Sequence, residues 1–144
     1  MIYLDTSFLT PLFRSEPVTD QIANFLAAQP PGTLAISHWT RVEFASVVAR
    51  EVRMKSITAV VARKLIEEFD ALTHDSLHVL IPAAADFELA RGFVTEFATQ
   101  LRGPDALHLA IARNNGIEEI LTLDDGLIFA AKKLKLKARR GIRR

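Results

Sequence analysis

Met1-Ile2-Tyr3-Leu4-Asp5-Thr6-Ser7 opens the chain. Three apolar residues run straight into a carboxylate. This reads as a short buried strand with Asp5 at its C-terminal end. A second stretch repeats the pattern: Glu119 to Leu123 reads as a strand and runs into Asp124-Asp125-Gly126. Between the two, apolar runs alternate with segments of helical spacing. That alternation predicts an α/β domain with a mostly parallel sheet. In such sheets ligands bind beyond the carboxyl ends of the strands, where Asp5 and Asp124 fall.

The intervening elements follow from the same reading. Ser7 to Phe13 starts a short helix that Pro11 and Pro17 interrupt. From Val18 the spacing is helical through Ile22, Phe25 and Leu26, and Gln29-Pro30-Pro31-Gly32 ends it. Thr33 to Ser37 is a second strand. Thr40 to Lys55 and Ser56 to Thr73 are expected to form a helical hairpin. Val42, Ala45, Val48 and Val52 face inward on its first helix; Ile57, Val60, Val61, Leu65, Phe69 and Leu72 do so on its second. Leu77 to Ile81 is a third strand. Ala84 to Gln100 is a helix with Phe87, Ala90, Phe93, Val94 and Phe97 inward. Pro104 begins a helix that Asn114-Asn115-Gly116 stops. Leu127 to Leu134 is a last helix, and an edge strand is expected near Leu136 to Ile142.

The 144 residues suit one domain spanning 1–144. With no cysteine, the chain has no disulfides, thiolate nucleophiles or Cys-type metal sites. This fits a reducing cytoplasm. No targeting signal opens the chain, and no apolar run approaches the ~18 residues of a membrane span, so a soluble intracellular protein is expected. The net charge of +1 hides an asymmetry. Eight of 18 basic residues lie in the last 13 positions, a basic tail from about 132. Positions 1–131 hold ten basic against 17 acidic residues, a formal charge of −7. Such a tail suits phosphate or an acidic protein partner, or is simply a solvated terminus.

Four acids stand out by context: Asp5, Glu43, Asp105 and Asp124. Glu43 lies in Trp39-Thr40-Arg41-Val42-Glu43-Phe44-Ala45, within an apolar helix start, and Asp105 follows Gly103-Pro104. If the fold gathers them, their mutual repulsion raises their pKa values unless a cation offsets it. Hard oxygen donors select Mg²⁺ or Mn²⁺. Carboxylate-held metals that also touch phosphate are the usual apparatus of phosphodiester cleavage, with a metal-activated water as nucleophile. Each acid also has an ordinary explanation. Asp5 suits a helix N-cap, Asp105 a helix macrodipole, Asp124 a turn, and Glu43 a pair with Arg41 or Arg50.

At these residues the chain resembles the PIN-domain family, in particular the VapC toxins of VapBC toxin–antitoxin systems. Four segments carry the resemblance: Ile2-Tyr3-Leu4-Asp5-Thr6-Ser7, Val42-Glu43-Phe44, Gly103-Pro104-Asp105-Ala106-Leu107-His108-Leu109-Ala110 and Leu121-Thr122-Leu123-Asp124. It implies a three-layer α/β/α sandwich and Mg²⁺- or Mn²⁺-dependent endoribonuclease activity, with inhibition by a VapB-type antitoxin. It maps the family's acids onto Asp5, Glu43, Asp105 and Asp124. Asp5, Asp105 and Asp124 would hold metal directly, and Glu43 would bind a second ion or orient water. Thr6, Ser7 and Thr122 would steady these carboxylates. The basic C-terminus departs from the small apolar last strand that the family leads one to expect.

His108, three residues after Asp105, and Asp125 are candidate substrate contacts; His108 also suits a partly buried helix position. Trp39 suits packing or stacking on a base. The apolar hairpin from Thr40 to Thr73 suits a homodimer or antitoxin surface, or packing within itself. Other readings remain open: a DNA-directed, structure-specific or RNA-processing nuclease without an antitoxin, and a PIN domain that only binds. A receiver-type phosphorylation module fits poorly, because it wants paired acids after the first strand and a lysine near Asp124.

Overall fold

The computed structural model describes residues 1–143; Arg144, the last cation of the basic tail, lies outside the described residues. Five strands form one sheet: β1 (Ile2–Leu4), β2 (Leu34–Ser37), β3 (His78–Leu80), β4 (Glu119–Leu121) and β5 (Ala138–Arg139). Their spatial order is β3-β2-β1-β4-β5. All four pairings are parallel, with Tyr3 opposite both Ala35 and Ile120. From β1 the chain builds outward to β2 and β3, then crosses back to β4 on the other side of β1. The strand order therefore reverses between β1 and β4, and such a reversal opens a crevice at the strands' carboxyl ends.

Helices cover both faces. They are α1 (Thr6–Leu9), α2 (Thr19–Ala27), α3 (His38–Arg53), α4 (Ala59–Ser76), α5 (Ala84–Thr95), α6 (Gly103–Asn114) and α7 (Asp125–Lys133). Alternate strand residues feed two separate cores. Leu4, Leu34, Ile36 and Leu121 pack with Phe8, Ile22, Phe44 and Phe69 from α1 to α4. Tyr3, Ala35, Leu80 and Ile120 pack with Phe93, Leu109, Leu127 and Ala131 from α5 to α7. This is the three-layer α/β/α sandwich expected. No helix among the described residues is long and apolar enough to cross a membrane.

The differences from the sequence reading have local causes. The first helix divides into α1 and a 3-10 turn, Thr10–Phe13, that accommodates Pro11. α3 starts at His38 instead of Thr40 because Ser37 caps it: Ser37 Oγ accepts from Thr40 N, and Ser37 N donates to Thr40 Oγ1. Phe44 faces the core in place of Val42, which is 57% exposed, and stacks on Phe69 of α4 with ring centroids 4.1 Å apart. Phe13 packs edge-on against both rings. The hairpin's helices thus pack on each other, while Val60 and Val61 face outward.

In α5 the inward seam is Asp86, Ala90 and Phe93, not Phe87. Buried Asp86 fixes this phase, accepting from Ala83 N and from Asn114 Nδ2, both at 2.8 Å. The helix stops at Thr95, short of Gln100; a 3-10 turn follows, closed by Gln100 in the left-handed conformation, and Phe97 is 83% exposed. α6 begins one residue earlier than expected, with Pro104 in its second position, and α7 begins two residues earlier at Asp125. The basic tail supplies a short edge strand. Glu119 holds it in register, accepting from Arg139 Nε at 2.6 Å and Nη2 at 3.0 Å, and pairing with Lys137 at 3.2 Å.

Phe44→Ala is expected to destabilise the protein by about 3–5 kcal/mol, because it empties a stacked core position. Val42→Ala is expected to stay within about 0.5 kcal/mol. Urea denaturation of both variants measures the contrast.

Candidate active site

The crevice between β1 and β4 is an open cleft of about 590 Å³. Asp5, Glu43, Asp105 and Asp124 all line it. Four different elements bring them there: the end of β1, the first turns of α3, the first turn of α6 and the end of β4.

Asp5 is 4% exposed and is the N-cap of α1. Its Oδ2 accepts from Ser7 Oγ at 2.6 Å and from Thr122 Oγ1 at 2.8 Å. Each hydroxyl has one hydrogen, and each also accepts a backbone N–H: Leu123 N donates to Ser7 Oγ at 3.0 Å, and Asp124 N donates to Thr122 Oγ1 at 3.1 Å. With those lone pairs occupied, both hydrogens turn toward Asp5. Asp5 N donates to Leu121 O at 2.9 Å, which ties the carboxylate's backbone to β4 as well.

Glu43 does not pair with Arg41 or Arg50. Its Oε1 accepts from Thr6 Oγ1 at 2.7 Å and in a close contact from His108 Nε2. Arg41 instead reaches Asp70 on α4 at 3.5 Å. His108 is fully buried, so it has no surface for the substrate contact expected of it. Its Nε2 also lies 3.4 Å from Asp5 Oδ1, and its Nδ1 lies 2.6 Å from the Tyr3 hydroxyl. That hydroxyl contacts Ser37 Oγ at 2.8 Å and Thr40 Oγ1 at 3.2 Å.

Burial opposes charge on His108, but the Glu43 hydrogen bond and the carboxylates of Asp5, Glu43 and Asp105 outweigh it; its pKa is raised. Burial, first, raises the pKa of Tyr3, with smaller contributions from Asp5 and Glu43.

Asp105 is half-buried and has its pKa raised to about 6, first by burial and then by the charges of Asp5 and Asp124. It feels the negative field of the cleft without a hydroxyl partner of its own. Asp124 is exposed and caps α7, its Oδ1 accepting from Gly126 N at 2.7 Å and Leu127 N at 3.2 Å. Asp5 thus fills the N-cap role expected of it, Asp124 caps α7 where a turn was expected, and both line the cleft. Asp125 sits outside, exposed at the start of α7, with Arg140 Nη1 at 3.3 Å. Trp39 is partly buried and donates Nε1–H to Pro104 O at 3.2 Å, which is packing.

Asp5, Glu43 and His108 each bring one potential ligand atom within 4.8 Å of the others. From the sequence, Asp5 is expected to share a metal site with Asp105, Asp124 and Glu43, and no role in the site is expected of Tyr3, Ser37 or Thr40. The Ser37-x-x-Thr40 spacing is a capping signature that could have located the latter two. A tyrosine within a buried strand must also find a polar partner. The cleft's candidate donors are chiefly carboxylate oxygens, those of Asp5, Glu43, Asp105 and Asp124. That donor set fits a hard divalent cation.

The model of the PIN domain matches residues 2–133. No curated protein matches the chain in sequence. Among solved structures, Mycobacterium tuberculosis VapC20, a Sarcin-Ricin loop cleaving toxin, superposes with a TM-score of 0.70 at 20% identity, over 92% of this chain and 95% of its own. VapBC-1 from nontypeable Haemophilus influenzae gives 0.70 at 18% identity, covering 98% of each chain. FitAcB from Neisseria gonorrhoeae gives 0.67 at 17% identity, again covering 98% of each. At these identities the likeness is one of fold. The family model spans nearly the whole sequence, and the chain belongs to the PIN-domain family.

Proposed function

We infer that this protein is a Mg²⁺- or Mn²⁺-dependent endoribonuclease, the toxin of a type II toxin–antitoxin pair that acts in the cytoplasm. The observation that carries the reading is the convergence of Asp5, Glu43, Asp105 and Asp124 on one cleft at the point where the strand order reverses. Membership of the PIN family adds to it. So do the neighbours in fold VapC20, a toxin, and VapBC-1, which carries the name of a toxin–antitoxin system. On the same grounds the partner is a VapB-type antitoxin, and a homodimer and a toxin–antitoxin hetero-oligomer are the expected assemblies.

A divalent cation held by Asp5, Asp105 and Asp124, with Glu43 close by, would activate water, neutralise the phosphate and stabilise the leaving oxygen. The chain's own residues fix the donors. Ser7 and Thr122 hold Asp5 by Oδ2 and leave Oδ1 turned to the cluster. Thr6 and His108 hold Glu43 by Oε1. The cap on α7 engages Asp124 through Oδ1 alone. A pre-set carboxylate loses little side-chain freedom when a cation binds, which favours affinity.

Asp5→Ala is expected to lower Mn²⁺-dependent cleavage of RNA by more than about 100-fold with the fold retained. Thr122→Val is expected to weaken metal affinity by about 10–100-fold. Purified-protein cleavage assays with circular dichroism check both, and full activity in Asp5→Ala would sink the assignment. The same assays on single-stranded DNA separate an RNA-directed from a DNA-directed nuclease.

The Asp105 shift gives a separate test. Folded Asp105 keeps its proton to about pH 6, whereas the unfolded chain releases it near the ordinary value of 3.8. Between those values the native state binds more protons, so the stability of the metal-free protein falls as pH rises through the window. Asp105→Asn is therefore expected to raise the melting temperature in EDTA at about pH 7.5 and to leave it nearly unchanged at about pH 4. Added Mn²⁺ is expected to stabilise the wild type at the higher pH and to do little for the variant. Thermal melts in the four conditions provide the check.

A further inference from the structure

The cleft has a basic side as well as an acidic one. Arg14, Arg50 and Arg53 line it with the four acids. Arg14 is neutralised, lying between Glu16 at 3.9 Å and Glu51 in close contact. Arg50 and Arg53 are exposed, and neither meets an acid at ion-pair distance among the described residues.

Their position follows from α3. Arg50 is seven residues and Arg53 ten residues beyond Glu43, two and nearly three turns along the same helix. At 1.5 Å per residue, their backbones lie about 10 and 15 Å along the axis from Glu43. Ser46 and Val47, between them on the cleft wall, present no charge. A strand of polyanion with one phosphate at the acids would therefore pass next over a neutral step and then over two cations.

The charge distribution gives that step a purpose. Positions 1–131 carry a formal charge of −7, and the acids themselves repel a nucleic acid. The tail compensates little at this cleft. Lys137 and Arg139 are committed to Glu119, and Arg140 to Leu123 O and Asp125. Arg50 and Arg53 are the cleft's uncommitted cations among the described residues.

We propose that Arg50 and Arg53 form a phosphate-binding arm of the cleft that grips the backbone of single-stranded RNA on one side of the bond to be cut. The choice of RNA as polyanion rests on the nuclease reading; the arm itself does not. Two guanidiniums spaced along a helix suit a chain of phosphates, each able to accept a forked pair of hydrogen bonds.

The test is binding, measured without turnover. A fluorescently labelled 12-nucleotide single-stranded RNA is titrated with protein in EDTA over roughly 50–200 mM KCl. The wild type is compared with Arg50→Gln/Arg53→Gln and with a control of equal charge loss away from the cleft, Lys64→Gln/Arg91→Gln. Loss of two phosphate contacts is expected to reduce the slope of log K against log salt by about 1.4 in the cleft variant, with the control slope unchanged. Equal slopes in all three proteins would overturn the arm. An acidic peptide of matched charge that competes as well as RNA, and loses as much in the cleft variant, would overturn its assignment to RNA. Because EDTA removes the cation, the result stands apart from whether the acids cleave: a failed nuclease reading shows in the Asp5→Ala assay, a failed arm in the slopes.

Discussion

Oδ2 of Asp5 receives two hydroxyl hydrogens, from Ser7 and from Thr122, at 2.6 and 2.8 Å. Each hydroxyl is aimed by a backbone N–H of the loop that follows β4. One carboxylate oxygen thereby joins the end of β1, the start of α1 and the β4–α7 loop. The same loop carries Asp124, whose own N–H is one of the two donors. The geometry of the first acid and the position of the last are set by one hydrogen-bonded unit. A buried carboxylate without such partners would be costly, so the cluster can exist only where the strands end side by side.

The parallel sheet supplies that place. Reversal of strand order at β1 and β4 puts both carboxyl ends beside one crevice, and α3 and α6 bring Glu43 and Asp105 from either face. Carboxylates gathered this closely disfavour one another's charge. His108 is held between Glu43 and Asp5 and backed by the Tyr3 hydroxyl, and these carboxylates favour its protonated form. At Asp105 burial, and after it the charges of Asp5 and Asp124, raise the pKa to about 6. A divalent cation at this point would offset the mutual repulsion of the carboxylates.

Much of this was legible in the sequence because it is local. The strands before Asp5 and near Asp124, the alternation with helices and the stop at Asn114-Asn115-Gly116 all follow from spacing and turn chemistry. The four acids stood out as carboxylates against apolar surroundings. What could not be read depended on contacts between distant elements. Phe44 displaced Val42 from the core because Phe69 and Phe13 were there to receive it. Asp86 set the phase of α5 through Asn114, and so turned Phe87 outward. His108 looked available to a substrate until Tyr3 and Glu43 closed on its two nitrogens. Arg50 and Arg53 were ordinary helix cations in the sequence; only the cleft distinguishes them from Arg41, which Asp70 engages.

The central claim is that this cleft holds a divalent cation on carboxylate oxygens. Anomalous diffraction from crystals soaked in Mn²⁺ tests it most directly. A manganese peak in contact with Asp5 Oδ1 and at least one further oxygen from Asp105, Asp124 or Glu43 is expected, and it is expected to vanish in crystals of Asp5→Ala. A cleft without a peak at saturating Mn²⁺, or a peak that survives unchanged in Asp5→Ala, would contradict it.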